Sequence, residues 1–361
     1  MDEADRDAGP AYVGRYAPSP TGHLHLGNLR TAAIAWARAR SVGGRFLVRV
    51  EDIDRQRSRP EFEEQQLADL AAIGLDWDGE PVRQSDRDSL YDDALRRLPT
   101  FPCFCSRKDI QRELAEMGGA PHGAPGAYPG TCRDLAEAAR AEKAAELAAS
   151  GRGPSLRLRA GVREWRAEDA LHGTIVDAVD DMVPRRADGM WAYNLAVVVD
   201  DADQAVTEIV RGDDLLSSAP RQAYLAHLLG APEPTYAHVP LVVNGEGRRL
   251  AKRDGDVTLR DVSAGEAQRW ILDSLRVGAG GAGGGGVGAG GVGAGGVGAG
   301  AGGRGGGDAA GGRGGAGVTE GGEDAVAEGL MGMDLSDVDR IADLPEVFDL
   351  MAIPREQVVF R

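Results

Sequence analysis

The segment Arg15-Tyr16-Ala17-Pro18-Ser19-Pro20-Thr21-Gly22-His23-Leu24-His25-Leu26-Gly27-Asn28 joins residue types suited to phosphate chemistry. A short strand at Val13–Arg15 enters a turn of small residues, and a helix pattern follows. Such a strand–turn–helix unit aims backbone N–H groups and the positive helix end at an anion. Gly22 and Gly27 permit close approach of a nucleotide, and His25 can donate to a phosphate oxygen as charge develops there. The plain alternative is a Pro/Gly turn with two exposed histidines; the flanking strand and helix favour the chemical reading. A second segment, Arg248-Arg249-Leu250-Ala251-Lys252-Arg253-Asp254-Gly255, gathers four cations and a glycine, as a loop closing over triphosphate would. Taken alone it reads better as a solvated basic loop. A third group is Cys103-x-Cys105 with Tyr128-x-x-x-Cys132. Three thiolates and one oxygen or nitrogen donor complete a tetrahedral zinc site with no open position, a structural role. Tyr128 and His122 compete for the fourth place, and three free thiols are the plain alternative. His172, His227 and His238 have no partner at ligand or triad spacing and receive no role.

These groups need a scaffold, and the chain predicts one. Leu29, Ala32, Ala33, Trp36 and Ala37 recur at helical spacing until Gly43-Gly44 ends the helix. Phe46–Val50 reads as a buried strand, and Pro60 opens a second helix carrying Phe62, Leu67, Leu70 and Ile73. Strand, helix, strand, helix in this order begins a wound parallel α/β sheet. The pattern breaks near Pro99, where the cysteines, a Gly/Pro-rich loop and an Ala/Glu-rich helix (Leu135–Ala149) form an insertion. Strands resume at Gly173–Val179 and Leu195–Val199, the latter a continuous apolar run suited to a central parallel strand. Helices follow around Arg221–Leu229 and Ala264–Leu275. Residues 278–317 are dominated by glycine with GVGAG repeats and cannot bury enough apolar surface to order, so a flexible coil is expected. Small helices within Leu335–Ile353 would pack back on the body.

Composition narrows the classes. The chain has 361 residues and a formal charge of −16, which argues against strong non-specific binding of nucleic acid without excluding a local basic groove. No run of about 20 apolar residues occurs, so no membrane partner is expected. The acidic N-terminus lacks an apolar core and reads as a disordered tail, not a secretory signal. Three clustered cysteines suit a reducing cytoplasm better than a disulfide framework.

The two cationic and histidine-bearing segments together resemble the HIGH and KMSKS signatures of class I aminoacyl-tRNA synthetases, as His25-Leu26-Gly27-Asn28 and Arg249-Leu250-Ala251-Lys252-Arg253. Arg249 stands where the first lysine of that loop would be, and Ala251 where its serine would be. The string PSPTGHLHLGNLRTA resembles the glutamyl branch, as do Val50–Arg55, Gly74–Asp78 and Val210–Leu216. Tyr128-Pro129-Gly130-Thr131-Cys132 is similar to the zinc segment of the glutamyl-queuosine tRNA(Asp) synthetase family, which favours Tyr128 over His122. The likeness covers about residues 13–262, and weakly 344–360.

This resemblance implies an α/β fold. A Rossmann-like parallel-sheet domain (12–98 and 170–262) carries an inserted zinc-containing subdomain (99–169) and a small C-terminal helical segment (263–277 and 318–361). Residues 1–11 would be a tail and 278–317 a Gly-rich insertion. ATP and Mg²⁺ would be bound at Gly22, His25, Gly27, Asn28, Arg249 and Lys252, with His25 and Lys252 catalytic and Zn²⁺ on the cysteines and Tyr128. L-glutamate has two carboxylates and an ammonium, so it needs two cationic clamps and a carboxylate. Matching positions are Arg15, Ser19, Glu51, Tyr193 and Arg211; which arginine holds which carboxylate stays open. Too little chain follows residue 262 for an anticodon reader. The implied acceptor is therefore queuosine in tRNA(Asp), and the chain is expected to be a monomer. Alternatives are charging of a tRNA 3′ end, an HxGH-type nucleotidylyltransferase, and a non-catalytic nucleotide-binding relative.

Overall fold

The computed structural model describes residues 11–116, 128–243, 257–276, 338–346, 348–353 and 358–359. Arg249, Lys252, His122, the N-terminal tail and the Gly-rich segment lie outside them. Along the chain run β1 (Val13–Tyr16), α1 (Leu26–Ser41), β2 (Arg45–Val50), α2 (Pro60–Ala72), β3 (Val82–Arg83) and α3 (Asp88–Arg97). Next come β4 (Thr100–Cys103), α4 (Arg107–Glu116), α5 (Glu137–Ala149), β5 (Ser155–Leu158), β6 (Glu164–Asp169) and β7 (Gly173–Ala178). Then follow α6 (Tyr193–Asp203), β8 (Glu208–Gly212), α7 (Ala219–Leu229), β9 (Thr235–Val239), β10 (Val242–Val243), α8 (Ala264–Arg276) and β11 (Val358–Val359).

Strands β1, β2 and β3 form a parallel sheet in that order, and β7-β6-β9-β8 form a second, parallel except for the β6–β7 hairpin. The two meet where Thr207 N–H donates to Val13 O at 2.9 Å, which brings β8 alongside β1. The carboxyl ends of β1, β2 and β8 deliver Arg15, Glu51 and Arg211, the arrangement by which wound α/β folds build sites. Helix α1 starts on a capping box, His25 and Asn28 exchanging side-chain and backbone bonds, and ends as Gly43 takes φ +66°. Its inner face buries Leu29, Ala33, Ile34 and Ala37 against the sheet and α8; each larger aliphatic side chain so buried contributes roughly 1.5–3 kcal/mol. The 3-10 turns Ile341–Glu346 and Leu350–Ala352 return to this core through Ile341, Leu344 and Leu350, as expected for the C-terminal segment. Antiparallel β4 and β5, with α4 and α5, carry the cysteines.

One expectation fails. The run Leu195–Val199, read as a central strand, lies inside helix α6. Leu195, Ala196 and Val197 are fully buried. A helix that is apolar all round is a core helix, and a short apolar run cannot reveal its period. No helix among the described residues is long and apolar enough to cross a membrane.

Candidate active site

The loop between β1 and α1 is held from three sides. Glu51 N–H donates to Pro18 O and Arg59 N–H to Pro20 O, each at 2.9 Å. The buried amide of Gln66 on α2 donates to Ser19 O at 3.1 Å and Gly22 O at 2.6 Å. Ser19 itself is exposed. At the helix start, His25 Nδ1 accepts from Asn28 N–H at 3.1 Å. The ring lies over Gly27, where a Cβ would stand 3.0 Å from the imidazole and 3.2 Å from Val242 Cβ. The chain just past the basic segment returns to this point: Leu26 N–H donates to Val257 O at 2.9 Å, and His25 bridges Thr258. On the near side, Arg30 of α1 donates to Pro240 O at 3.2 Å. The described residues on both sides of the stretch containing Arg249 and Lys252 thus contact the first two turns of α1. Arg30 is fully buried, and burial lowers its pKa to about 10.

Behind the loop lies a buried charge network. Arg15 reaches Asp201 at 3.1 Å, and Arg49 reaches the same carboxylate at 2.7 Å and Glu51 at 3.5 Å. Burial opposes ionisation of Asp201, but Arg15 and Arg49 outweigh it and hold the carboxyl below its usual range. Glu51 goes the other way, because burial exceeds the help from Arg49 and Arg15. Burial raises the pKa of Tyr193, whose hydroxyl also feels Glu51, Arg211, Arg15 and Asp201. Arg15, Glu51, Tyr193 and Arg211 come from four separate elements yet lie close enough for their charges to act on the Tyr193 hydroxyl.

Arg211 differs from Arg15. Its Nη1 donates to Gln222 Oε1 at 2.7 Å, its Nη2 to Leu215 O at 3.3 Å, and its Nε to His238 Nε2 at 3.0 Å. The guanidinium carbon lies 5.1 Å from the Tyr236 ring centroid. Each hydrogen-bond partner is neutral, and among the described residues this buried cation has no salt bridge. Three of its five N–H groups are engaged. Sequence reasoning missed Arg49, Asp200, Asp201, Gln222 and His238. His238, given no role from spacing, bonds through Nδ1 to Asp169 Oδ2 at 2.6 Å, and no local pattern announces a pair 69 positions apart.

In the insertion, the sulfurs of Cys103, Cys105 and Cys132 lie within 4.8 Å of one another. Tyr128 Oη stands 3.5 Å from Cys103 Sγ and accepts from Cys132 N–H at 2.7 Å. The Arg157 guanidinium lies 3.7 Å above the Tyr128 ring. Burial works against the Cys103 thiolate, yet Tyr128 and Arg157 bring its pKa down, while burial and the neighbouring sulfurs push Cys105 up to about 12. The three thiols form a donor set suited to one metal ion, with the Tyr128 phenol beside them.

Comparison with known proteins gives the family. The family model "tRNA synthetases class I (E and Q), catalytic domain" matches residues 12–273. The glutamyl-Q tRNA(Asp) synthetase of Nocardia farcinica is 58% identical over 265 residues, spanning 72% of this chain and 82% of that protein. That of Symbiobacterium thermophilum is 47% identical over 269 residues, spanning 70% and 81%. The crystal structure of glutamate-tRNA synthetase from Elizabethkingia anophelis matches with a TM-score of 0.69 at 22% identity, covering 98% of this chain and 68% of that one, a likeness of fold. With its signature loop, its charged pocket and these relatives, the chain belongs to the class I tRNA synthetases (E and Q), in the glutamyl-Q tRNA(Asp) synthetase family.

Proposed function

We propose that this enzyme uses ATP to activate L-glutamate and transfers the glutamyl group to the queuosine base of tRNA(Asp). In the first step an oxygen of the α-carboxylate attacks the α-phosphorus of ATP. The bond to the β,γ-diphosphate breaks, giving glutamyl-adenylate and pyrophosphate. A carboxylate is already nucleophilic at neutral pH, so no general base is needed, and positioning with charge stabilisation supplies the rate. In the second step an acceptor hydroxyl attacks the activated carbonyl, AMP leaves, and the hydroxyl proton is released.

The observation that carries this reading is Arg211, a buried guanidinium with neutral partners, whose charge acts on Tyr193 together with those of Glu51 and Arg15. A buried charge is costly unless it is paired, so the site favours an anionic ligand. Arg15 is already paired with Asp201, which assigns a glutamate carboxylate first to Arg211. Glu51 and Tyr193 would receive the ammonium and the polar edge of the substrate, and Ser19 would line the mouth. His25, Gly22, Gly27 and Asn28 would take the nucleotide, with Arg249 and Lys252 closing over its phosphates and Mg²⁺ accompanying ATP. Segment 99–169 is assigned to the acceptor. Zn²⁺ would be held there by Cys103, Cys105, Cys132 and Tyr128, and its contribution when bound is a closed structural crosslink.

Pyrophosphate exchange into ATP tests the first step: it should require glutamate and proceed without tRNA. Exchange driven equally by other acids, or none, would remove the reading. Labelled glutamate should then enter tRNA(Asp) that carries queuosine and not the same tRNA lacking it; labelling of both at the 3′ end would replace the acceptor.

A further inference from the structure

The orientation of Arg211 is set by a buried chain that crosses three adjacent strands. Arg211 sits on β8, His238 on β9 and Asp169 at the end of β6. A guanidinium Nε carries a hydrogen and has no lone pair to offer, so His238 Nε2 must be the acceptor in the 3.0 Å contact. The ring hydrogen therefore sits on Nδ1 and donates to Asp169 Oδ2 at 2.6 Å. Asp169 is anchored in turn: its Oδ1 accepts backbone N–H groups of Leu171 at 2.8 Å and His172 at 2.9 Å, and Oδ2 accepts that of His238 at 3.1 Å. All three side chains are buried, His238 completely. His172 closes the far side, with Nε2 at 3.0 Å from His238 O.

We infer that His238 and Asp169 are positioning residues for glutamate selection. They hold one imidazole tautomer, and that tautomer fixes the plane in which Arg211 presents its remaining N–H groups to the substrate carboxylate. This rests on the assignment of Arg211 as the carboxylate clamp. The wrong tautomer, or a protonated ring, would set a donor against the Arg211 Nε–H and turn the fork away from the ligand. Preference for a carboxylate over the isosteric amide would then weaken along with affinity.

Three substitutions separate this role from plain packing. Asparagine at 238 keeps an amide donor near the Nδ1 position and loses the acceptor for Arg211; glutamine places an oxygen near Nε2 and keeps it. Asp169→Asn must keep its oxygen on the Leu171 and His172 N–H groups, so its NH2 faces His238 and forces the other tautomer. In glutamate-dependent pyrophosphate exchange, His238→Asn and Asp169→Asn should raise KM for glutamate by about tenfold to a hundredfold, the worth of one hydrogen bond to a charged group. KM for ATP should stay within about twofold, and His238→Gln should restore glutamate KM to within about threefold of the parent. Should His238→Asn fail to fold, Asp169→Asn set against His238→Gln makes the same comparison. Equal impairment of both His238 variants in both substrates, with equal loss of melting temperature, would reduce the chain to packing and overturn the inference. Arg211→Ala is the control. If it leaves glutamate KM unchanged, the clamp assignment falls and the inference falls with it. If it abolishes glutamate use while His238→Asn and Asp169→Asn do not, only the positioning role falls.

Discussion

Arg15 and Asp201, 186 positions apart in sequence, meet at 3.1 Å with almost no solvent exposure on either side chain. The same carboxylate accepts from Arg49 at 2.7 Å, so one acid on α6 neutralises two arginines delivered by β1 and β2. The two ion pairs therefore tie α6 to β1 and β2.

Removing that acid leaves two buried cations short of a counter-charge. Asp201→Asn should cost about 3–5 kcal/mol in urea unfolding, the range for breaking a buried pair from one side. Asp93→Asn, which breaks a pair exposed on both sides, should shift the midpoint hardly at all. Equal effects of the two changes would show that burial of the network contributes nothing.

Gly27 is small because the His25 ring occupies the space a side chain would need. With alanine there, the ring must move by a few tenths of an ångström or more. Glutamate-dependent exchange should fall about tenfold to a hundredfold, as misplacement of a phosphate-facing group predicts, while the melting temperature changes little. Full activity would separate His25 from the phosphate site.

His238 gives stability a pH dependence of known sign. Burial depresses its pKa, Asp169 opposes this, and Arg211 and His172 add to the depression. The folded state therefore refuses a proton that the unfolded chain takes up below about pH 6.5. Where the unfolded state binds more protons, stability rises with pH. Stability should thus decline as pH falls from about 6.5 toward the folded-state pKa, and His238→Gln should remove that part of the slope. Urea midpoints at a series of pH values check this, and parallel profiles for parent and variant would count against it.

Cys105→Ser should lower the zinc content of purified protein, measured by mass spectrometry, and lower the melting temperature by several degrees or about 1 kcal/mol or more. Glutamyl-adenylate formation should suffer less than transfer to tRNA. Parent-level zinc and melting in the variant would remove the metal from the account.

Much of this was legible in the chain itself. Helical spacing from Leu29 to Ala37, the stop at Gly43, the opening at Pro60 and the Pro/Gly turn before His25 are local signals, and short-range sterics and capping enforce them in any context. The cysteine spacing was readable in the same way, and the family resemblance, not the spacing, pointed to Tyr128, whose hydroxyl lies 3.5 Å from Cys103 Sγ. What the chain alone left undecided was long-range. Leu195–Val199 has no visible period, so only its burial on every side made it a helix and turned Asp201 toward Arg15. The pairing of Asp169 with His238 and Arg211 depends on which strands lie side by side. Neighbouring residues do not encode that adjacency; it follows from closing the sheet around a shared core, and the partners of the buried charges were settled only there.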